Sequence, residues 1–181
     1  MLALIEHPEQ AQMLRDDPTL WDSPGEEMLR WGSSIHNFRR TATQDTEIRG
    51  VPIKEGEKIV MYYASANRDE EVFDDPHVFD ITRTPNDHVT FGGGGVHFCL
   101  GASLARAEIK ATMRQLVDRL PDIELVGPPN RLHSDFVNGI KYLPVRLEPR
   151  SFPPPHRLRP HHRKQHQHHA DAGDKPIGYG T

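Results

Sequence analysis

Cys99 is the only cysteine of the chain, and it lies in a glycine-rich stretch, FGGGGVHFCLG, that runs from Phe91 to Gly101. Glycine loses more conformational freedom on folding than any other residue, so four in succession are hard to explain as an ordinary loop. A helical pattern begins after Cys99, and the N-terminus of a helix favours a thiolate over a thiol. Such a thiolate is a nucleophile or a metal ligand, whereas a buried cysteine without such a loop is usually an inert apolar residue. The glycines favour a large planar ligand that lies against the backbone.

The composition excludes several other classes of site and protein. A single cysteine forms no internal disulfide and no four-cysteine zinc or iron–sulfur centre within the chain. The glycines match neither GxGxxG nor a segment ending in Lys and Ser or Thr, so phosphate is not the expected ligand. A formal net charge of −4 argues against nucleic acid as a partner. No apolar run is long enough to span a membrane, and the start, MLALIEHPEQ, lacks the features of a secretory signal, so we expect a cytoplasmic protein.

The chain divides near residue 150 into two parts of different composition. Residues 1–150 are long enough for one domain with a modest core. Residues 151–181 are rich in proline and histidine and carry few apolar side chains, so we expect this tail to be disordered. The histidines clustered between positions 161 and 169 are either adventitious ligands for a transition metal or part of a solvated tail, and the second interpretation is the simpler.

The patterning of residues 1–150 predicts a mainly α protein with small β-hairpins, an α+β fold with helices at both ends. Proline at the first helical position predicts a helix from Pro8 to about Asp16. Ser23 and Glu26 have the spacing of a capping box, with Pro24 at the first helical position, and so mark the start of a second helix.

The middle of the chain predicts less regular structure. Short β-like runs separated by Gly50 and Gly56 predict hairpins between residues 36 and 64. Residues 67–88 have no sustained period and many acidic side chains, so we expect an irregular segment that is ordered only if other residues hold it in place. The last predicted helix follows Cys99, and its apolar face consists of Ala105, Ile109, Met113, Leu116 and Leu120.

The loop around Cys99 resembles the haem-binding signature of the cytochrome P-450 family, in which a loop rich in Phe and Gly precedes the cysteine that ligates the haem iron. Three further segments resemble family motifs, and they occur in the family's order. Glu27 to Arg30 is similar to the Glu-x-x-Arg helix, Ala66 to Asp69 to the start of the meander, and Phe79 to Arg83 to its end. The resemblance implies the C-terminal part of the cytochrome P-450 fold, with haem as the cofactor.

The resemblance also implies roles for the residues around the haem. Cys99 would be the proximal thiolate ligand of the iron. His97 and Arg40 would contact the haem propionates, although chemistry alone leaves Arg39 as suitable as Arg40, and His97 is also acceptable as a solvated loop histidine. The remaining residues would shape the loop so that its backbone passes close to the porphyrin and the sulfur; these are Phe91, Gly94, Gly95 and Gly101.

Glu27, Arg30 and Arg83 resemble the buried ion-paired triad that holds the meander beneath the haem loop in the family. Taken alone, Glu27 and Arg30 are also compatible with an ordinary surface pair on a helix, which contributes a few tenths of a kcal/mol. A buried triad is a different case, because removal of one member leaves an uncompensated charge.

The loop departs from the common family pattern, because Phe91 lies one position farther from Cys99 and the extra residue is a glycine. Such a loop resembles a branch of actinobacterial members that oxidise steroid side chains and methyl-branched lipids. The resemblance therefore implies a small apolar substrate, either a steroid or lipid-like. The stretch from Leu132 to Pro144 corresponds to a turn that reaches towards the substrate pocket, and Phe136 and Val137 are its candidate apolar contacts.

Members of the family are more than twice as long as this chain, and residues 1–150 resemble only their C-terminal portion. The helix whose acid–alcohol pair activates dioxygen has no counterpart, so we expect no catalytic residue for that step in this chain. A haem held from one side would be open to water, which defeats the exclusion of water that oxygen activation needs. We therefore expect a truncated chain that is inactive alone.

Two hypotheses of different classes follow. In the first, the chain is the haem-binding portion of an O2-dependent monooxygenase that hydroxylates a steroid or lipid-like substrate with electrons from a ferredoxin-type partner. In the second, it is a non-enzymatic remnant of a disrupted gene that binds haem weakly or not at all. An upstream reading frame encoding the acid–alcohol helix would favour the first hypothesis.

Overall fold

The computed structural model describes residues 1–120 and 122–147. Its α-helices are α1 Leu2–Glu6, α2 Pro8–Asp16, α3 Pro24–Gly32, α4 Tyr63–Ala66 and α5 Ala102–Arg119, and a 3-10 helix spans Pro18–Asp22. Its strands are β1 Asn37–Thr41, β2 Thr46–Ile48, β3 Val51–Ile53, β4 Lys58–Tyr62, β5 Glu124–Leu125, β6 Asn130–Arg131, β7 Ile140–Tyr142 and β8 Val145–Arg146. The mixed fold of helices and small hairpins predicted from the sequence is confirmed.

Proline sets the start of three successive helical segments near the N-terminus. Pro8, Pro18 and Pro24 each begin a helix, at a position where the missing N–H has no intrahelical partner to lose. Asp17 lies between the first two segments, and its carboxylate accepts a hydrogen bond from the Thr19 amide at 2.9 Å. Local chemistry therefore determines these boundaries, and α2 spans the predicted residues.

The start of α3 agrees with the sequence, but the capping box does not form. Ser23 is the N-cap residue, yet its hydroxyl makes no capping hydrogen bond and donates instead to the Ile81 carbonyl at 3.4 Å. The Glu26 carboxylate binds Arg106 and His88. A backbone carbonyl and two side chains that are distant in sequence therefore bind the groups that the capping box would have used.

The strands form four separate antiparallel pairs, which are β1 with β4, β2 with β3, β5 with β8 and β6 with β7. The first two pairs lie between residues 36 and 64, where hairpins were predicted, and the β2–β3 hairpin connects the paired strands β1 and β4. In the β2–β3 turn, Arg49 and Gly50 have φ values of 50° and 80°, the left-handed region that a tight hairpin turn requires. Strands β5 to β8 have only two or three residues each, which is too short for an alternating pattern to predict them.

The core lies where α1, α2, the 3-10 helix and α5 meet the irregular segment. Its buried residues are Leu4, Ala11, Leu14, Trp21, Phe79, Ile81 and Val117. The predicted apolar face of α5 is only half-buried along its length, at Ala105, Ile109, Met113, Leu116 and Leu120. Ala102 and Val117 are the α5 residues that are fully buried. The helix therefore packs on a face slightly rotated from the predicted one.

Residues 67–88 contain no helix or strand, as the sequence predicts, and we call them the meander segment. The Arg30 guanidinium from α3 holds this segment in place. It donates hydrogen bonds to the carbonyls of Asn67 and Pro76, each at 2.8 Å, and to the carbonyl of Val78 at 3.0 Å. Because a guanidinium has five N–H donors in a fixed fork, one side chain holds irregular backbone at three residues.

The tail from 151 to 181 lies outside the described residues, so its disorder and the boundary at residue 150 stay predictions. In the part of the chain that the structure describes, no helix combines the length and the apolar character needed to cross a membrane. The same part contains no group of three or more metal-binding side chains.

Candidate functional site

The loop that carries Cys99 is closed by its own backbone. The Cys99 amide donates to the Phe91 carbonyl at 2.9 Å, and the Phe98 amide donates to the Gly95 carbonyl at 3.1 Å. The Cys99 carbonyl then accepts from the Ala102 amide at 3.2 Å, where α5 begins. The thiol is exposed to solvent. Cys99 therefore stands just before a helix N-terminus, as predicted, and it is not a buried apolar residue.

Backbone conformation explains part of the glycine run. Gly92, Gly94 and Gly95 have φ values of 94°, 98° and 75°, which disfavour any residue with a side chain. A Cβ placed on Gly94 or Gly95 would meet no protein atom within 4 Å, so the protein itself does not crowd these positions. A Cβ on Gly101 would lie 3.9 Å from the Cys99 sulfur. The glycines therefore leave open space along one side of the loop.

A cleft of about 380 Å³ opens beside the thiol. Its lining residues are Ile35, Phe38, Arg40, Tyr63, Thr90, Phe91, His97 and Cys99. Four residues selected from the sequence, Arg40, Phe91, His97 and Cys99, therefore meet at one cavity. The walls are mainly apolar and aromatic, with a small number of polar groups, which is the usual composition of a ligand site.

Strand geometry separates Arg40 from Arg39. Successive side chains of a strand point to opposite faces, so Phe38 and Arg40 of β1 share a face and Arg39 points away from it. Phe38 and Arg40 both line the cleft, and Arg39 does not. The Arg40 guanidinium lies 5.8 Å from the Phe38 ring centroid. Among the described residues, no carboxylate lies within 4 Å of Arg40 or His97. The cleft therefore has basic hydrogen-bond donors without a protein counter-ion.

The three residues of the candidate triad meet at the Glu27 carboxylate. Arg30 binds Glu27 through two parallel hydrogen bonds, each of 2.7 Å, and both residues are 0% exposed. The Arg83 guanidinium lies 3.3 Å from the same carboxylate. Glu27 also accepts from the Asp80 amide at 2.9 Å and from the Asn86 side chain at 3.0 Å. One carboxylate therefore joins α3 to the meander segment.

Asn67 is a second buried junction that the sequence did not mark as a site residue. The NH2 group of its side chain donates to the Ser33 hydroxyl at 2.9 Å and to the Thr90 hydroxyl at 3.0 Å. The side-chain oxygen Oδ1 accepts from the Val89 amide at 2.8 Å. Thr90 in turn donates to the Leu29 carbonyl at 3.0 Å and lines the cleft. The motif from Ala66 to Asp69 marks the start of the meander but does not reveal this role, because an asparagine after a short helix is also a typical solvent-exposed turn residue.

Glu26 forms a third junction, which ties together the two ends of the cysteine loop. Arg106 of α5 donates two hydrogen bonds to its carboxylate at 2.7 and 2.8 Å. The Nε2 atom of His88 lies 3.0 Å from the same carboxylate, and the His88 side chain is 2% exposed. The hydrogen bonds from Arg106 lower the pKa of Glu26, and burial lowers the pKa of His88. At neutral pH the junction therefore contains a carboxylate, a guanidinium and a neutral imidazole.

The His88 shift predicts that stability falls on mild acidification. Burial outweighs the attraction of Glu26, and the guanidinium groups of Arg106 and Arg30 add to the lowering of the pKa. The folded chain therefore binds fewer protons than the unfolded chain once the pH drops below about 6.5, the ordinary pKa of histidine, and the free energy of unfolding decreases. Urea denaturation between pH 7.5 and 5.5 measures this slope.

A His88→Gln variant is the control for that prediction, since other histidines titrate in the same range. The variant is expected to have a shallower slope than the parent chain between pH 7 and 5.5, whatever its absolute stability. Glu26 does not contribute in this window, because its lowered pKa affects stability only as the pH falls through the acidic range. Equal slopes in the two proteins would contradict the prediction.

The two candidate substrate contacts lie one layer behind the cleft. Phe136 packs edge-on against Phe38, with ring centroids 5.4 Å apart, and its carbonyl accepts from the His36 amide at 2.9 Å. Val137 pairs with Ile35 as an isolated antiparallel bridge. Phe38 and Ile35 line the cleft, whereas Phe136 and Val137 do not. Phe136 and Val137 therefore support two residues of the cleft wall from behind and do not form its surface.

A model of the cytochrome P-450 family matches residues 19–142, which is more than half of the chain. The chain belongs to the cytochrome P-450 family. Cytochromes P-450 carry haem as their cofactor, bound through a cysteine thiolate, so the recognition made from the Cys99 loop and the three ordered motifs is confirmed.

Relatives of known activity include enzymes of the branch suggested by the loop. The steroid C26-monooxygenase of Rhodococcus jostii is 46% identical over 145 residues, which cover 80% of this chain and 30% of that protein. The methyl-branched lipid omega-hydroxylase of Mycobacterium bovis is 48% identical over 146 residues, which cover 80% of this chain and 34% of that protein. The resemblance to this branch is therefore confirmed, and the chain spans about a third of the length of these relatives.

Solved cytochrome P-450 structures share the fold of the described residues. The cytochrome P-450 CYP268A2 of Mycobacterium marinum, in complex with pseudoionone, superposes with a TM-score of 0.76 at 46% identity. The match covers 79% of this chain and 34% of that one. The arrangement of α3, the meander segment, the cysteine loop and α5 is therefore that of a cytochrome P-450.

Proposed function

We propose that this chain forms the cysteine-bearing side of the haem pocket of a cytochrome P-450 monooxygenase. One observation carries the proposal: the only thiol of the chain is exposed in a cleft that it shares with Arg40 and His97. The donor set fits the cofactor. A soft anionic ligand suits iron, the glycine-lined side of the loop has room for a flat ring, and the two basic residues suit carboxylate groups.

Each residue of the cleft has a proposed role. Cys99 supplies the thiolate to the iron, and bound haem supplies the redox chemistry by which this family inserts one oxygen atom of O2 into a C–H bond. Gly94, Gly95 and Gly101 keep the backbone close to the ring and the sulfur. Phe91 packs against Arg106 at the start of the loop. Arg40 and His97 donate hydrogen bonds to the haem propionates.

The substrate and partners are proposed from the relatives. A steroid or another small lipid-like molecule is the proposed substrate, hydroxylated with O2, and Phe136 and Val137 support the apolar wall that it would approach. A ferredoxin-type protein is the proposed electron donor, and the cytoplasm is the proposed location. The cleft is open to solvent at Cys99, so we propose that this chain alone does not hydroxylate, because oxygen activation needs a dry pocket.

The carbon monoxide difference spectrum of the full chain tests the proposal. The purified chain is reconstituted with haem and reduced, and a red-shifted Soret band typical of thiolate ligation is expected. A Cys99→Ser variant, which removes the soft ligand with little change in volume, is expected to lose that band. Ser103→Ala, an exposed change in the first turn of α5, is the matched control and is expected to retain it.

Loss of the band in both variants, or its absence from the parent chain, would contradict the proposal. Haem that passes through a desalting column unbound would then favour the alternative, a non-enzymatic remnant. The circular dichroism of each protein without haem separates loss of the ligand from loss of the fold.

A further inference from the structure

We propose that Glu26 is a positioning residue for Cys99, acting through a cluster of Glu26, His88 and Arg106 that we call the loop clamp. The proposed function assigns no role to these three residues. The inference rests on the proposed function only in assuming that the loop positions Cys99 for haem. The contacts of the clamp are present in the polypeptide without its cofactor.

The clamp holds both ends of the cysteine loop to one carboxylate. His88 comes just before the loop and Arg106 comes just after it, in the second turn of α5. His88 Nε2 and Arg106 Nη2 both lie within hydrogen-bond distance of the same Glu26 oxygen, at 3.0 and 2.8 Å, and Arg106 Nε donates to the other oxygen at 2.7 Å. Glu26 belongs to α3, so both ends of the loop are anchored to a helix that is distant in sequence.

The hydrogen bonds fix the tautomer of His88. The Thr90 amide lies 3.3 Å from Nδ1 and can only donate, so Nδ1 is the acceptor. Nε2 therefore carries the proton and donates to Glu26. A neutral imidazole with both nitrogens engaged is held in one orientation, and His88 lies three residues before Phe91.

Phe91 transmits the position of the clamp to the cysteine. The Arg106 guanidinium lies 4.7 Å from the centroid of the Phe91 ring, and the His88 ring centroid lies 6.3 Å from it. The carbonyl of Phe91 accepts the hydrogen bond from the Cys99 amide at 2.9 Å. A shift of Phe91 therefore weakens the bond that sets the position of Cys99.

Hydrogen exchange at the Cys99 amide tests this chain of contacts without haem. The probe is the full 181-residue chain in deuterated buffer, and exchange at this amide reports local opening of the loop. Glu26→Gln keeps the size of the side chain and removes its charge. We expect exchange at Cys99 to accelerate by about tenfold or more, since a hydrogen bond to a charged group changes an equilibrium by roughly one to two powers of ten.

The exposed ion pair between Asp22 and Lys110 provides a matched control, because it also joins the N-terminal helices to α5. Asp22→Asn is expected to leave exchange at Cys99 unchanged. Amides of the β1–β4 strand pair lie outside the clamp and the cysteine loop, and they are expected to keep their rates in Glu26→Gln. If that variant folds poorly, Arg106→Lys, which retains the charge but lacks the fork, is expected to accelerate Cys99 exchange by a smaller factor.

Two results would overturn the inference. The first is equal Cys99 exchange in Glu26→Gln and Asp22→Asn. The second is an equal acceleration at Cys99 and in the β1–β4 strand pair, which would mean that Glu26 supports the fold as a whole. Failure of the chain to bind haem would leave this measurement unaffected, so the inference and the proposed function fail separately.

Discussion

Replacement of Arg30 by alanine is expected to lower the free energy of unfolding by about 3–5 kcal/mol, the usual loss when one partner of a buried ion pair is removed. The Glu27 carboxylate would remain buried with only Arg83, Asn86 and a backbone amide as partners. The carbonyls of Asn67 and Pro76 would also lose their donor, whereas the Val78 carbonyl would keep its hydrogen bond from Arg83. For a chain of this size such a loss is a large fraction of the total stability. Urea denaturation followed by far-ultraviolet circular dichroism measures it.

Arg114→Ala is the matched control for this prediction. Arg114 pairs with Asp118 on the surface of α5 at 4.0 Å, and both side chains are half-exposed. Surface substitutions usually change stability by no more than about 0.5 kcal/mol. If the two variants lost similar stability, the buried triad would not be the anchor of the meander segment. Loss of Arg30 is also expected to impair haem binding, because the segment that it fixes leads into the cysteine loop.

Asn67→Ala is expected to be the second most damaging substitution, with a loss of about 3 kcal/mol, since each buried group left without a partner costs about 1–3 kcal/mol. The Val89 amide would lose its acceptor, and the Ser33 and Thr90 hydroxyls would lose a donor. Because Thr90 lines the cleft, the variant is also expected to weaken haem binding more than its stability loss alone explains. Urea denaturation and a haem titration of the same samples measure the two effects.

Asn37→Ala provides the comparison for Asn67. The Asn37 side chain donates one hydrogen bond, to the Asp135 carbonyl at 3.0 Å, at an exposed site. Water replaces such a partner, so the expected loss is about 1 kcal/mol or less. A loss at Asn67 no greater than that at Asn37 would mean that the buried network has no energetic importance.

Local chemistry made much of this protein predictable. Proline at a first helical position marks a helix start from the sequence alone, and Pro8 and Pro24 did so correctly. The hairpins and the long helix α5 were likewise predicted from turn residues and periodicity. The cysteine, its glycines and the three ordered motifs were sufficient to predict the family, because each motif lies within a few consecutive residues.

The errors have one physical origin. Ser23 and Glu26 have the spacing of a capping box, but the partners of Glu26 are His88 and Arg106, 62 and 80 positions away. The two charge-assisted hydrogen bonds from the Arg106 guanidinium outcompete a local hydrogen bond from the backbone amide of the capping box. No residue near Glu26 in the sequence indicates this partner. The short strands β5 to β8 were missed for a related reason, since their pairing depends on segments brought together by the rest of the fold.

The sequence by itself determined the family, the main helices and the hairpin region, and it selected Cys99 as the proposed ligand of the haem iron. Only the tertiary structure showed that Arg40, and not Arg39, lines the cleft, because of the face of β1 that borders it. It also revealed Asn67 and the loop clamp. The physical reason is that secondary structure and motifs depend on neighbours along the chain, whereas burial and hydrogen-bond partners depend on segments that meet only after folding.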